Sequence, residues 1–167
     1  MVEPLSKEAQ ALLATLQARP EDAYVRQRAF MELEALREPA SAEPIRAFLN
    51  DRDDDTRAYS VRALAAIEGA RAVPTLLERL AKERSPKVRV AAILALEPLK
   101  APEATEPLIA RLRDRHADVR MAAVDVVSRM DDPRAREAIQ LRWKRERHRD
   151  VRHVLESAIQ RVGGPPK

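Results

Sequence analysis

The chain has 167 residues, 45% of them hydrophobic and only 3% aromatic, with a net charge of +4 from 31 basic and 27 acidic side chains. That is the length of one domain with enough apolar material for a continuous core, which has to be packed from Ala, Leu, Val and Ile rather than rings. No cysteine is present, which excludes disulfides, thiolate metal sites and cysteine nucleophiles, and no stretch approaches the ~20 apolar residues of a membrane span, so a cytoplasmic protein with no membrane contact is expected.

In chain order, Ser6 to Ala18 patterns as an amphipathic helix with Leu12, Leu13 and Leu16 inward and Lys7, Gln10 and Gln17 outward. It reads as an N-terminal cap over residues 6–18. From there the chain repeats itself: Val25-Arg26, Thr56-Arg57, Val88-Arg89, Val119-Arg120 and Val151-Arg152 mark a period of 31 or 32 residues. A period of that size belongs to a stacked array in which each unit buries its apolar face on its neighbours.

Each unit opens with one helix, here called A. Seven residues after the arginine stand Leu33, Leu64, Leu96, Val127 and Ile159, and three after it Ala29, Ser60, Ala92, Ala123 and Leu155, all on one helical face. Four residues before the arginine, Asp22, Asp53, Ser85, His116 and His148 read as N-caps, and Asp54, Asp55, Asp118 and Asp150 fall in the first turn, where the helix dipole favours negative charge. Breaks follow at Glu38-Pro39, Glu68-Gly69, Ala101-Pro102 and Asp132-Pro133. A second helix, B, then carries an i, i+4 apolar pair: Ile45 and Leu49, Leu76 and Leu80, Leu108 and Leu112, Ile139 and Trp143. The expected units are 20–50, 51–82, 83–115 and 116–146, closed by a last A helix over 147–162 and a disordered tail over 163–167.

This pattern predicts an all-α protein, a right-handed α-solenoid of stacked antiparallel helix pairs with about four and a half repeats. The Asp118-Val119-Arg120 and Asp150-Val151-Arg152 steps, with the Ala-rich stretch Val90 to Leu96, resemble the short HEAT-like repeats, the kind also found in phycobilisome lyase subunits. The resemblance covers residues 20–162. It implies that Arg26, Arg57, Arg89, Arg120 and Arg152 are structural, joining adjacent repeats in a polar ladder near the core. It also raises a role as a subunit of a bilin lyase or isomerase system.

No catalytic constellation is recognised, and no metal or cofactor is expected. Asn50 to Asp55 is dense in carboxylates but lacks the glycine and the closing glutamate of a calcium loop. His116 and His148 stand at equivalent cap positions one repeat apart, and no His-Glu pair occurs. Trp143 takes the place of Leu49, Leu80 and Leu112, so its expected role is packing, and no aromatic platform for stacked bases accompanies it.

The remaining surface is the B-helix side, the inner face of such a solenoid. There Phe48, Arg79, Arg111 and Arg142 share one column, with Leu141 beside them and Arg113, Arg115, Lys144 and Arg145 widening the basic area. The charge is uneven: residues 1–84 hold 13 basic against 15 acidic side chains, residues 85–167 hold 18 against 12. The expected function is a non-catalytic scaffold or adaptor that binds another protein through Phe48, Arg79, Arg111, Leu141, Arg142 and Arg145. An acidic, partly apolar segment fits such a surface. Nucleic-acid binding by the basic carboxyl half, around Arg111 to Arg152, is the further alternative.

Overall fold

The computed structural model describes residues 3–163; of the expected tail, residues 164–167 lie outside the described residues, as do residues 1 and 2. The chain is all-α, with no strand among the described residues. Helix α1 is Lys7–Gln17, and the A helices are α2 (Ala23–Leu36), α4 (Asp54–Glu68), α6 (Pro86–Leu96), α8 (Ala117–Val127) and α10 (Arg149–Arg161). The B helices are α3 (Ala42–Arg46), α5 (Val73–Lys82), α7 (Thr105–Arg111) and α9 (Pro133–Arg145). The first B segment is short because α3 gives way to a 3-10 turn over Ala47–Asn50.

All five A helices start where the sequence places them, but the caps differ in how they work. Asp22 accepts the Tyr24 amide at 2.8 Å and Asp53 the Thr56 amide at 2.9 Å, each satisfying an amide the helix leaves free. Ser85, His116 and His148 occupy the cap position without a side-chain cap bond. Their own amides are instead taken by the acid two residues earlier, Glu83, Asp114 and Glu146, at 3.0, 3.0 and 2.8 Å.

Packing follows the expected layers. Each A helix lies against the next, α2 on α4, α4 on α6, α6 on α8 and α8 on α10, and α1 covers the open side of α2. The B helices touch one another little and pack chiefly on the A helix that follows, α5 on α6, α7 on α8 and α9 on α10. One apolar core runs the length of the stack, with Leu16, Phe30, Leu33, Leu64, Leu76, Ile93, Leu112, Ile139 and Leu155 each almost fully buried. The alanines and serine at the crossing position, Ala29, Ser60, Ala92 and Ala123, are buried too, as close helix approach requires.

Three of the four A-to-B turns use left-handed backbone: Arg37 at φ 52°, Gly69 at φ 57° and Lys100 at φ 48°. Gly69 is the one that needs glycine, since its ψ of −131° lies outside the region that Arg37 and Lys100 tolerate. Gly69→Ala meets no neighbouring atom, so its cost is backbone strain alone, about 1–3 kcal/mol. Denaturant unfolding checks this; an alanine variant as stable as the parent contradicts it.

Candidate interaction surface

Two polar systems line the edge where B helices turn into A helices, and they decide which charges are left for a partner. The first is the arginine column. Arg57 donates to the Asp51 and Arg52 carbonyls at 2.8 and 3.2 Å, and to both oxygens of Glu83 at 3.1 Å. Arg89 does the same one unit on, reaching the Glu83 and Arg84 carbonyls at 3.1 and 2.9 Å and both oxygens of Asp114 at 2.8 and 2.9 Å. Arg120 repeats the pattern with the Asp114 and Arg115 carbonyls at 2.9 and 3.3 Å and with Glu146 at 2.9 and 3.2 Å. Each guanidinium thus spends its fork on a carboxylate and its remaining edge on two loop carbonyls.

The ends of the column differ. Arg26 takes the Pro20 and Glu21 carbonyls at 2.6 and 2.9 Å but reaches only Asp53, at 3.5 Å, while Arg19 sits 3.6 Å from Asp51. Arg152 departs from the expected ladder. It is exposed, makes no loop-carbonyl bond, lies 3.6 Å from Glu156 within its own helix, and covers the Trp143 ring with its guanidinium carbon 5.2 Å from the centroid. No rung acid follows it among the described residues.

Sequence reasoning misses Glu83, Asp114 and Glu146 as the acids of the ladder, and weighs Asp51 only as part of the carboxylate cluster. They do carry a signal, standing six residues before Arg57, Arg89, Arg120 and Arg152 at the same period. Burial pushes the Glu146 carboxyl up, but the His148 amide, Arg120 and Arg142 outweigh it and hold it at about 2. Glu83 and Asp114 are likewise held below the usual carboxylate range, burial being outweighed by Arg57 and the Ser85 amide in one and by Arg89 and the His116 amide in the other.

The second system is the B-helix column, and here the expectations need correction. Phe48 is 8% exposed and packs edge-to-face on Phe30 with centroids 5.5 Å apart, so it belongs to the core rather than to a partner surface. Arg79 folds back on the preceding loop, donating to the Leu49 carbonyl at 3.0 Å and the Asn50 side chain at 3.1 Å. Arg111 lies 3.6 Å from Asp114, and Arg142 donates to Glu146 from Nε at 2.9 Å. All three arginines are half-buried; Arg111 and Arg142 brace the rung acids, and Arg79 braces the loop at Leu49 and Asn50.

Leu141 and Arg145 remain. Leu141 is 41% exposed, and with Ile109, Ala110, Arg113, Arg142 and Arg145 it lines a groove of about 480 Å³ between α7 and α9. Glu106 is the one carboxylate there. Arg113 and Arg145 are exposed and enter no ion pair among the described residues. Of the six residues assigned to a partner, the structure brings Leu141, Arg142 and Arg145 together in this groove and leaves Arg111, Arg79 and Phe48 out of its lining.

The carboxylates of the acidic cluster each have a protein partner. Asp53, Asp54 and Asp55 come within 4.8 Å of one another, yet Asp53 holds Thr56, Asp54 accepts the Ser85 hydroxyl at 2.8 Å, and Asp55 meets Lys87 at 2.8 Å. Its task is to tie α4 to α6.

A core shared by stacked helix pairs, with loops bridged by arginine from one pair to the next, defines an α-solenoid. The family model for HEAT repeats matches residues 9–97 and again 73–160, and the chain belongs to that family. Among solved structures it is similar to the complex of CpcE and CpcF of phycocyanin lyase from Nostoc sp. PCC7120, at 24% identity over 90% of this chain and 96% of that one, with a TM-score of 0.74. At that identity the likeness is one of fold. No curated protein matches the sequence. No described helix is long and apolar enough to cross a membrane.

Proposed function

We propose that the chain is a non-catalytic, cytoplasmic scaffold that binds another protein, with an acidic and partly apolar segment of that partner lying in the groove between α7 and α9. The observation that carries this reading is the groove itself, where an exposed leucine stands among guanidiniums that the fold does not use. Leu141 with Ile109 and Ala110 gives an apolar floor, and Arg113 and Arg145 give charge on its rim, the usual division of an interface into apolar centre and polar border. Guanidiniums suit binding rather than turnover, because they stay protonated and so cannot serve as a general base. The rigid stack also presents its contacts pre-formed, so little ordering entropy is lost on this side.

The test is capture of partners on the immobilised protein, comparing the parent with a Leu141→Asp, Arg145→Glu variant of unchanged helicity. A partner of this groove is expected to bind the variant about 10- to 100-fold more weakly. If both baits retain the same proteins equally, the groove is not the site.

A second reading is supported by the fold likeness to a phycocyanin lyase complex of two proteins. On that reading the chain is one subunit of a bilin lyase or isomerase system. Mixing the protein with an open-chain tetrapyrrole separates the two: an absorbance or fluorescence change at stoichiometric protein supports the lyase reading, and an unchanged spectrum supports the scaffold.

A further inference from the structure

Each B-to-A loop contains the same pair of neighbours, an acid and then an arginine: Asp51-Arg52, Glu83-Arg84, Asp114-Arg115 and Glu146-Arg147. The acid and the cap residue on either side of that arginine are extended, for example Glu83 at ψ 134° and Ser85 at ψ 126°, and in extended chain successive side chains point opposite ways. The acid therefore turns in to the ladder and the arginine turns out. Arg52, Arg84, Arg115 and Arg147 are all exposed, and none enters an ion pair among the described residues.

The ladder makes this row count electrically. The carboxylates that would screen it are spent inside, Glu83 on Arg57, Asp114 on Arg89, and Glu146 on Arg120 and Arg142. Arg149 extends the row beyond the last loop, with Asp118 and Asp150 the exposed acids close by. Arg52 stands beside Asp53 to Asp55, so the field is weakest there and rises toward Arg147.

From this we propose that the loop edge of the solenoid is a binding surface for the phosphate backbone of double-stranded nucleic acid, separate from the groove on the B-helix face. Stacked helices lie about 8–10 Å apart, so the four outward arginines run along roughly 30 Å, a length over which a duplex presents a near-continuous line of charge at one per ~1.7 Å of axis. A duplex backbone needs nothing from the edge but cations. A protein partner would need apolar anchors, and the exposed large apolar side chains, Tyr24, Met31, Leu94 and Leu141, all lie outside these loops. Single strands are held by stacking on rings, and Trp143, the only tryptophan, lies under Arg152. The contact is to phosphate alone and carries no sequence preference.

The experiment is fluorescence anisotropy of a labelled, mixed-sequence 30-base-pair DNA duplex with the full chain between about 50 and 200 mM salt. Three or four phosphate contacts give a slope of log affinity against log salt near −3, about a hundredfold loss across that range. Arg84→Gln, Arg115→Gln and Arg147→Gln each flatten the slope by about 0.9, and the triple variant abolishes binding while melting with the parent. Arg71→Gln, an exposed arginine in an A-to-B turn, leaves affinity unchanged. Absence of binding at 50 mM salt overturns the proposal, as does a triple variant that binds like the parent. Displacement of the duplex by poly-glutamate at equal charge concentration assigns the edge to an acidic protein instead and overturns it too.

Discussion

Arg89→Ala is expected to destabilise the protein by about 3–5 kcal/mol, the cost of stranding a buried ion partner. Arg89 and Asp114 are both nearly inaccessible, at 5% and 4% side-chain exposure, and the guanidinium also serves the Glu83 and Arg84 carbonyls. Alanine leaves Asp114 with only the distant Arg111 and the His116 amide, and leaves two loop carbonyls without their donor. Arg89→Lys recovers a part, since a single ammonium cannot span a bidentate carboxylate and two carbonyls at once. For a chain of this size the alanine variant should melt on the order of 10 °C below the parent. Arg152→Ala provides the contrast: its exposed pair with Glu156 contributes well under about 1 kcal/mol. Equal melting of Arg89→Ala and Arg152→Ala would show that the ladder is ornamental.

Acid should undo the same ladder, and Glu146 sets where. Its folded value of about 2 lies below the ordinary 4.5, and its side chain is only 2% exposed. A carboxylate depressed by folding contributes its full stabilisation above its unfolded value, and that contribution is lost as pH falls through the folded value. The window therefore runs from about pH 4.5 down to about 2, and at 1.36 kcal/mol per pH unit the loss is about 3 kcal/mol. Glu83 and Asp114 are depressed in the same sense and add to the loss over the acid range. Denaturant midpoints measured from pH 7 to 2 check this against Glu146→Gln, which should be weaker at neutral pH and show a flatter acid limb. Identical acid limbs would remove Glu146 from the account.

The fold was legible in the sequence because its determinants repeat. Leu33, Leu64, Leu96 and Val127 recur on one helical face, and caps and prolines punctuate each unit, so the helix order could be read by counting. The partner surface was not legible in the same way. Counting places Phe48, Arg79, Arg111 and Arg142 in one column, but the first B segment tightens to a 3-10 turn at Ala47, and Phe48 ends up against Phe30. The column also says nothing of what faces it. Arg111 and Arg142 lie within reach of Asp114 and Glu146, acids in irregular loops where no hydropathy rhythm draws attention to them. Leu141 and Arg145 escaped that capture because their side chains stand on the solvent side of α9.

Because Glu83 and Asp114 are each held by the arginine of the unit before, while their carbonyls are held by the arginine of their own unit, the inner joints of the stack are chemically alike. Joining Val88 directly to Arg120 would set that arginine beside the Glu83 and Arg84 carbonyls, with Glu146 still ahead of it. Length in such a protein is then a modular variable: duplication or loss of a whole unit between equivalent arginines preserves each handshake, whereas a gain or loss out of phase breaks two of them. The spacing of 31 or 32 residues is the mark left by that constraint.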